Sequence, residues 1–122
     1  LVHGEGDRLP GLVVDRYDDH AMVRLDGAAI EVLIRATGLR ELLVDRLGAR
    51  GVRAVLHKIG RGESKQVEAW QGRVPQNPLV VLERGMKLLA DLRHGQKTGL
   101  FLDHRDSRAL VRTLANEQTV LN

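Results

Sequence analysis

"LVVDRYDDHAMVRLD", Leu12 to Asp26, decides how this chain folds. Leu12–Tyr17 and His20–Asp26 are β-rich runs, and Asp18-Asp19 between them has turn chemistry, so the stretch predicts a hairpin. Upstream, "GEGDRLPG" (Gly4 to Gly11) is a turn built on glycine and Pro10. Downstream the period changes. From Ala28 to Leu47, Ile30, Leu33, Ile34, Leu42, Leu43 and Leu47 recur at helical spacing, which predicts a helix interrupted by Gly38 and ended by Gly48 and Gly51. Val52–Lys58 then reads as a strand returning beside the hairpin. Ile59–Gln66 is a charged, glycine-containing loop, and Val67–Trp70 a short strand. "RVPQNP" breaks the chain again. Leu79–Gly85 and Met86–Leu92 look like two further strands hinged at Gly85. Arg105–Ala115 is a second helix with Leu110, Val111 and Leu114 on its apolar side. The order predicts an α+β fold: a mixed or mostly antiparallel sheet with two helices packed on it.

Bulk composition narrows the class. The chain has 122 residues, enough to bury one core. Apolar residues make up 43% and charged ones 29%, so wholesale disorder is excluded. Aromatics are only 2%, which leaves Leu, Val, Ile and Ala to build the core. No apolar run is long enough to span a membrane and no signal-peptide pattern is present, so the expectation is a soluble protein with no membrane partner. The absence of Cys removes disulfides and thiolate chemistry and fits a cytoplasmic home. A net charge of +3 permits a polyanionic partner without demanding one. The chain starts at Leu1, and its last residues, "EQTVLN", read as the opening of a buried strand. Both ends suggest a segment of a longer protein.

The densest chemistry lies in "HGQKTGLFLDHRDSR", His94 to Arg108. Asp103 precedes the second helix and can cap it, with Asp106 near the positive end of the helix dipole. Arg105, Arg108 and Arg112 fall at i, i+3 and i+7 and form a cationic stripe, which is either a solvated face or a phosphate-contacting one. Gly95 to Gly99 offers backbone amides to a carboxylate or phosphate, and the basic tip at Gly60–Ser64 offers charge to a nucleic-acid backbone. His94 and His104 lack metal-ligand spacing, and the histidines form no zinc pattern, so no metal is expected. His104 as a base has only Thr98 and Ser107 nearby and nothing to orient it, which argues against acyl transfer. His3, His20 and His57 read as surface or satisfied strand histidines. Composition and spacing reach no further than an α+β domain with a polar loop at a helix start.

The same residues carry a resemblance. "MKLLADLRHGQKTGLFLDHRDSR" (Met86–Arg108) resembles the segment preceding the catalytic domain in the ribosomal RNA large subunit methyltransferase I family, whose members use S-adenosylmethionine to methylate ribosomal RNA, typically at carbon-5 of a cytosine. "TGLFLDHR" (Thr98–Arg105) is also similar to the related fused guanine-N7 methyltransferase. "HGEGDRLPGLVVDRY" (His3–Tyr17) is similar to the opening of the family's central domain, and "VLN" (Val120–Asn122) to the first strand of its methyltransferase fold. The resemblance implies a central domain over residues 1–116 and the start of a Rossmann-like domain over 117–122, with an RNA-binding PUA domain and the rest of the Rossmann-like domain as missing neighbours. It implies that Lys97, Thr98, Gly99, Phe101, Asp103 and Arg105 line one side of the S-adenosylmethionine site. His104 stands where many relatives carry Gln, and Leu100 where an aromatic is common. The glycine-rich loop that follows the first Rossmann strand, and any catalytic Cys, are absent from these residues, so no catalytic residue is expected and the segment alone is expected to be inactive.

Ribosomal RNA is the expected partner, with Arg61, Lys65, Arg108 and Arg112 as candidate phosphate contacts. One rival is a pure RNA-binding module using Arg24, Arg53, Lys58, Arg61 and Lys65. Another is a linker that only docks its neighbours, betrayed by an exposed apolar patch.

Overall fold

The structure is a computed structural model that describes residues 1–60 and 66–119. The predicted hairpin forms as β2 (Leu12–Tyr17) and β3 (His20–Leu25), with Tyr17 opposite His20. Asp18 turns the chain at φ 55°, a left-handed conformation that a short polar side chain tolerates. β1 (Val2–His3) adds to the outer side of β2. β4 (Ala54–Ile59) pairs with β3 in parallel, and β5 (Gln66–Gln71) closes the far edge antiparallel to β4. The sheet order is therefore β1-β2-β3-β4-β5.

The one parallel pairing requires a crossover, and helices supply it. The sequence predicts a single interrupted helix over this span. Two form: α1 (Ala28–Ala36) and α2 (Leu39–Gly48). Gly38 between them takes φ 64° and its carbonyl accepts the Leu42 amide, so the glycine ends one helix and starts the next. Among the described residues the α-helix count is thus three, and α1 and α2 lie on the large sheet.

Alternation along the strands builds two cores. Leu12, Val14, Ala21, Val23 and Val55 face α1 and α2, where Ile30, Ile34 and Leu47 meet them. Tyr17, Met22, Ala54 and Leu56 face the other way. That second face is covered by β6 (Leu79–Glu83) and β7 (Met86–Ala90), which form a separate two-stranded sheet and contribute Val81, Ala90 and the following Leu92. α3 (Arg105–Leu114) is tied by its side chains to this small hairpin.

Candidate functional site

The site is assembled by the chain that leaves β7, residues 91–104. Asp91 starts it. Its carboxylate accepts the amides of His94 at 2.9 Å and Arg93 at 3.0 Å, and these bonds hold its pKa below the ordinary aspartate value. The Gly95 amide returns to the Asp91 carbonyl at 3.0 Å, and the Lys58 ammonium, almost wholly buried, donates to the Gly95 carbonyl at 2.7 Å. A side chain at Gly95 would run into the Asp91 carbonyl oxygen, and one at Gly99, where φ is 138°, would meet Leu92 at 2.6 Å. Gly95 is therefore demanded by close backbone approach, and Gly99 by its positive φ.

A buried polar relay fixes the far end of the loop. The Thr98 hydroxyl donates to Asp15 at 2.6 Å, so it must accept from the Tyr17 hydroxyl 2.8 Å away. The Leu100 amide in turn donates to the Tyr17 oxygen at 3.2 Å. Burial is the main cause that pushes the Tyr17 phenol above its ordinary value, which keeps it a donor.

With both ends pinned, the apex points outward. Lys97 adopts φ 48°. Its ammonium lies 2.7 Å from Asp103 and 4.7 Å from the centre of the Phe101 ring, a cation–π distance. His104 stacks on the other partner ring, with centroids 5.2 Å apart and planes at 17°. The Lys97 ammonium holds the exposed Asp103 carboxyl below its usual range. Asp103 does not cap α3. The N-cap is His104, with no side-chain cap bond, because the Asp103 carboxylate is drawn to Lys97. Lys97, Asp103 and Arg105 line one open groove of roughly 670 Å³, walled by Leu100, Leu102 and Val13.

Four of the six cofactor candidates, Lys97, Thr98, Asp103 and Arg105, line this groove, and the half-buried Phe101 lies against Lys97. Thr98 is turned into the domain, 2% exposed, and Gly99 shapes the backbone. Their place is to position the loop.

The arginine stripe of α3 is exposed at Arg105 and Arg112 but tied down at Arg108. Arg108 forks onto the buried Glu83 with two bonds of 2.8 Å and donates to the Phe101 carbonyl at 2.7 Å. Arg105 reaches the same carboxylate at 3.4 Å. This guanidinium pair, Arg108 first, depresses the Glu83 pKa, and Glu83 raises that of Arg108. Arg112 donates to the Arg84 carbonyl at 2.9 Å. Arg108 is consequently committed inside the domain, whereas Arg112 is exposed and its bond to a neutral carbonyl leaves its charge in place. Arg61 and Lys65 lie outside the described residues, as does "VLN". Among the rival's other cations, Arg24 pairs with Asp26, Arg53 with Asp19, and Lys58 is buried under the loop. His20 and His57 are bonded to Asp19 and Glu68.

Tyr17, Asp15 and Glu83 were invisible to motif reading. Their signal was weak: a lone tyrosine at a strand end, and carboxylates on otherwise apolar strands. Among the described residues no group of three or more His, Asp or Glu is placed to hold a metal, and no helix is long and apolar enough to cross a membrane.

No protein-family model matches the chain. Curated relatives do. Proteins named ribosomal RNA large subunit methyltransferase I from Aeromonas salmonicida and Escherichia coli O157:H7 are 36% identical over 125 residues, covering 100% of this chain. The Shewanella amazonensis protein of that name is 31% identical over 129 residues, again across the whole chain. The chain spans 31% of the length of these relatives. A solved protein assigned as a methyltransferase and complexed with SAH shares the fold, with TM-score 0.64, 21% identity, 88% of this chain and 26% of that one covered. A second, assigned as a SAM-dependent methyltransferase from Streptococcus mutans, gives TM-score 0.64 at 18% identity, over 88% of this chain and 27% of its own. Along its whole length, then, this chain is homologous to one stretch of the proteins named ribosomal RNA large subunit methyltransferase I.

Proposed function

We propose that this chain is the central domain of an S-adenosylmethionine-dependent ribosomal RNA methyltransferase, acting on carbon-5 of a cytosine, and that it supplies one wall of the cofactor pocket. The observation that carries the reading is the outward-facing Lys97–Phe101–Asp103 cluster on a loop locked from beneath. The fit to the cofactor is chemical. The ammonium of Lys97 suits the methionine carboxylate, and the carboxylate of Asp103 suits the amino group or a ribose hydroxyl. Leu100, Leu102 and the Phe101 ring offer apolar surface. Bound there, S-adenosylmethionine would supply an electrophilic methyl group. This chain's own residues bind and orient; none is assigned to the transfer itself.

Half a pocket binds poorly. The isolated chain should show no saturable S-adenosylmethionine binding below millimolar in a titration with labelled cofactor, and tight binding would contradict the reading. In a polypeptide of the relatives' full length, Lys97→Ala should raise the apparent Kd for the cofactor by about tenfold, the worth of one lost charge-assisted bond. Mapping the methylated base in treated ribosomal RNA separates cytosine carbon-5 from the guanine-N7 alternative.

A second reading has its own observation. Leu110, Val111 and Leu114 on α3 are 61%, 55% and 69% exposed, an apolar face that no described residue covers. As an interdomain docking module, the chain would use this face and need no cofactor contact. Lys97→Ala would then leave cofactor affinity unchanged.

A further inference from the structure

A second groove lies on the other side of the segment that carries the candidate site. It has a volume of roughly 500 Å³ and sits between the β2–β3 turn and the β6–β7 hairpin. Apolar Val80, Leu100 and Leu102 line it together with the cations Arg16, Arg84 and Arg105. Leu100, Leu102 and Arg105 also line the loop groove, so a single stretch of chain separates the two.

The charge balance favours an anion. Asp18 and Glu83 stand against the three guanidinium groups, and Glu83 is already taken by the two bonds of Arg108, with Arg105 only at 3.4 Å and half exposed. Arg16 is held by the carbonyls of Asp18 at 2.6 Å and Arg50 at 2.9 Å, which fix its direction without neutralising it. Arg84 meets Asp106 at 2.7 Å, but as an exposed pair, which gives up a partner at little cost. Cations around an apolar lining match the two faces of a nucleotide, a charged phosphate and an unstacked base.

We infer that this groove holds a single strand of RNA, with phosphates on Arg16, Arg84 and Arg105 and a base against Val80, Leu100 and Leu102. The inference rests on the ribosomal RNA reading above and supplies phosphate contacts that Arg108, committed to Glu83, cannot. It also sets the strand beside the wall of the proposed cofactor pocket.

The test is fluorescence anisotropy of a short labelled single-stranded oligoribonucleotide with the 122-residue chain across a salt series. Wild type should bind in a salt-sensitive way. Arg16→Ala with Arg84→Ala should weaken binding by about tenfold and flatten the slope of log affinity against log salt by about 1.4, the share of two phosphate contacts on a single strand. Arg46→Ala, on the exposed side of α2, is the charge control and should change neither the affinity nor the fold seen by circular dichroism. Equal weakening by Arg46→Ala overturns the groove, because total charge then explains the binding. Binding that the double variant keeps also overturns it, while the methyltransferase reading stands. No binding by wild type overturns the groove and removes RNA from this segment's share of that reading. If cofactor binding in the full-length polypeptide fails but the groove variants lose RNA as expected, only the pocket wall is lost.

Discussion

α1 and α3 are both amphipathic, and they are mounted in opposite ways. α1 turns Ile30 and Ile34 into the core against the sheet, as an apolar stripe does in a self-sufficient domain. α3 lays Arg108 onto Glu83 and the Phe101 carbonyl and Arg112 along the Arg84 carbonyl, and leaves Leu110, Val111 and Leu114 in solvent. Burial of those leucines would have been worth about 1.5–3 kcal/mol each. An ionic attachment that forgoes that gain suits a helix whose apolar side is reserved for another surface. The difference separates a helix held by apolar burial from one held by polar bonds with its apolar side in solvent.

The sharpest way to break this contrast is Glu83→Ala, which leaves Arg108 beside an emptied site. We expect a loss of about 2–3 kcal/mol in urea unfolding, after allowing for the part of Arg108 that water reaches. Hydrogen exchange should show α3 losing protection while β2 to β4 keep theirs. A uniform loss across the sheet would mean that α3 belongs to the same cooperative unit as α1.

Acid probes the same attachment. The Glu83 pKa is lowered in the folded state, so its contribution is fully present above the unfolded carboxylate pKa and is lost as pH falls through the lower, folded value. α3 should therefore loosen on acidification below the ordinary glutamate range of about 4.3, whereas the apolar anchorage of α1 should not respond. Glu83→Gln should remove the pH dependence of α3 protection. If α3 loosens with the same profile in that variant, another carboxylate is responsible.

A smaller effect belongs to the relay. Tyr17→Phe takes a hydroxyl from Thr98 and the Leu100 amide, at about 1–2 kcal/mol. Faster exchange at Leu100, measured by nuclear magnetic resonance, is the expected sign; unchanged exchange would show that the loop is held by Asp91 and Lys58 alone. The smallest effect should come from Leu110→Gln with Leu114→Gln. Stability of this chain should shift by no more than about 0.5 kcal/mol, because nothing rests on those side chains here. A large loss would reveal packing that the structure does not contain.

The sequence made the hairpin at Leu12–Asp26, the breaks at Gly38 and Gly85, and the helix at Arg105 readable, because turn chemistry and periodicity are local. It also marked the stretch from Lys97 to Arg105 as dense in function. What it could not disclose was direction. Periodicity says that α3 has two faces and is silent on which is buried, since the partner that decides, Glu83, lies on another element. Thr98 was placed at the cofactor site by the family resemblance; its hydrogen-bond partners, Asp15 and Tyr17, are distant in sequence and no local window shows them. Lys58 and Glu83, charged yet buried, are pair events that no single window contains.

The parallel seam between β3 and β4 has a kinetic consequence. Neighbouring strands elsewhere in the sheet meet through short connections, but Ala54 can find His20 only after both crossover helices have swung round. Such a distant pairing is slow to close. Lys58, the prop beneath Gly95, rides on that late strand. The loop bearing Lys97 should therefore be among the last features to set during folding, and a nascent domain would display its hairpin well before that loop takes its final shape.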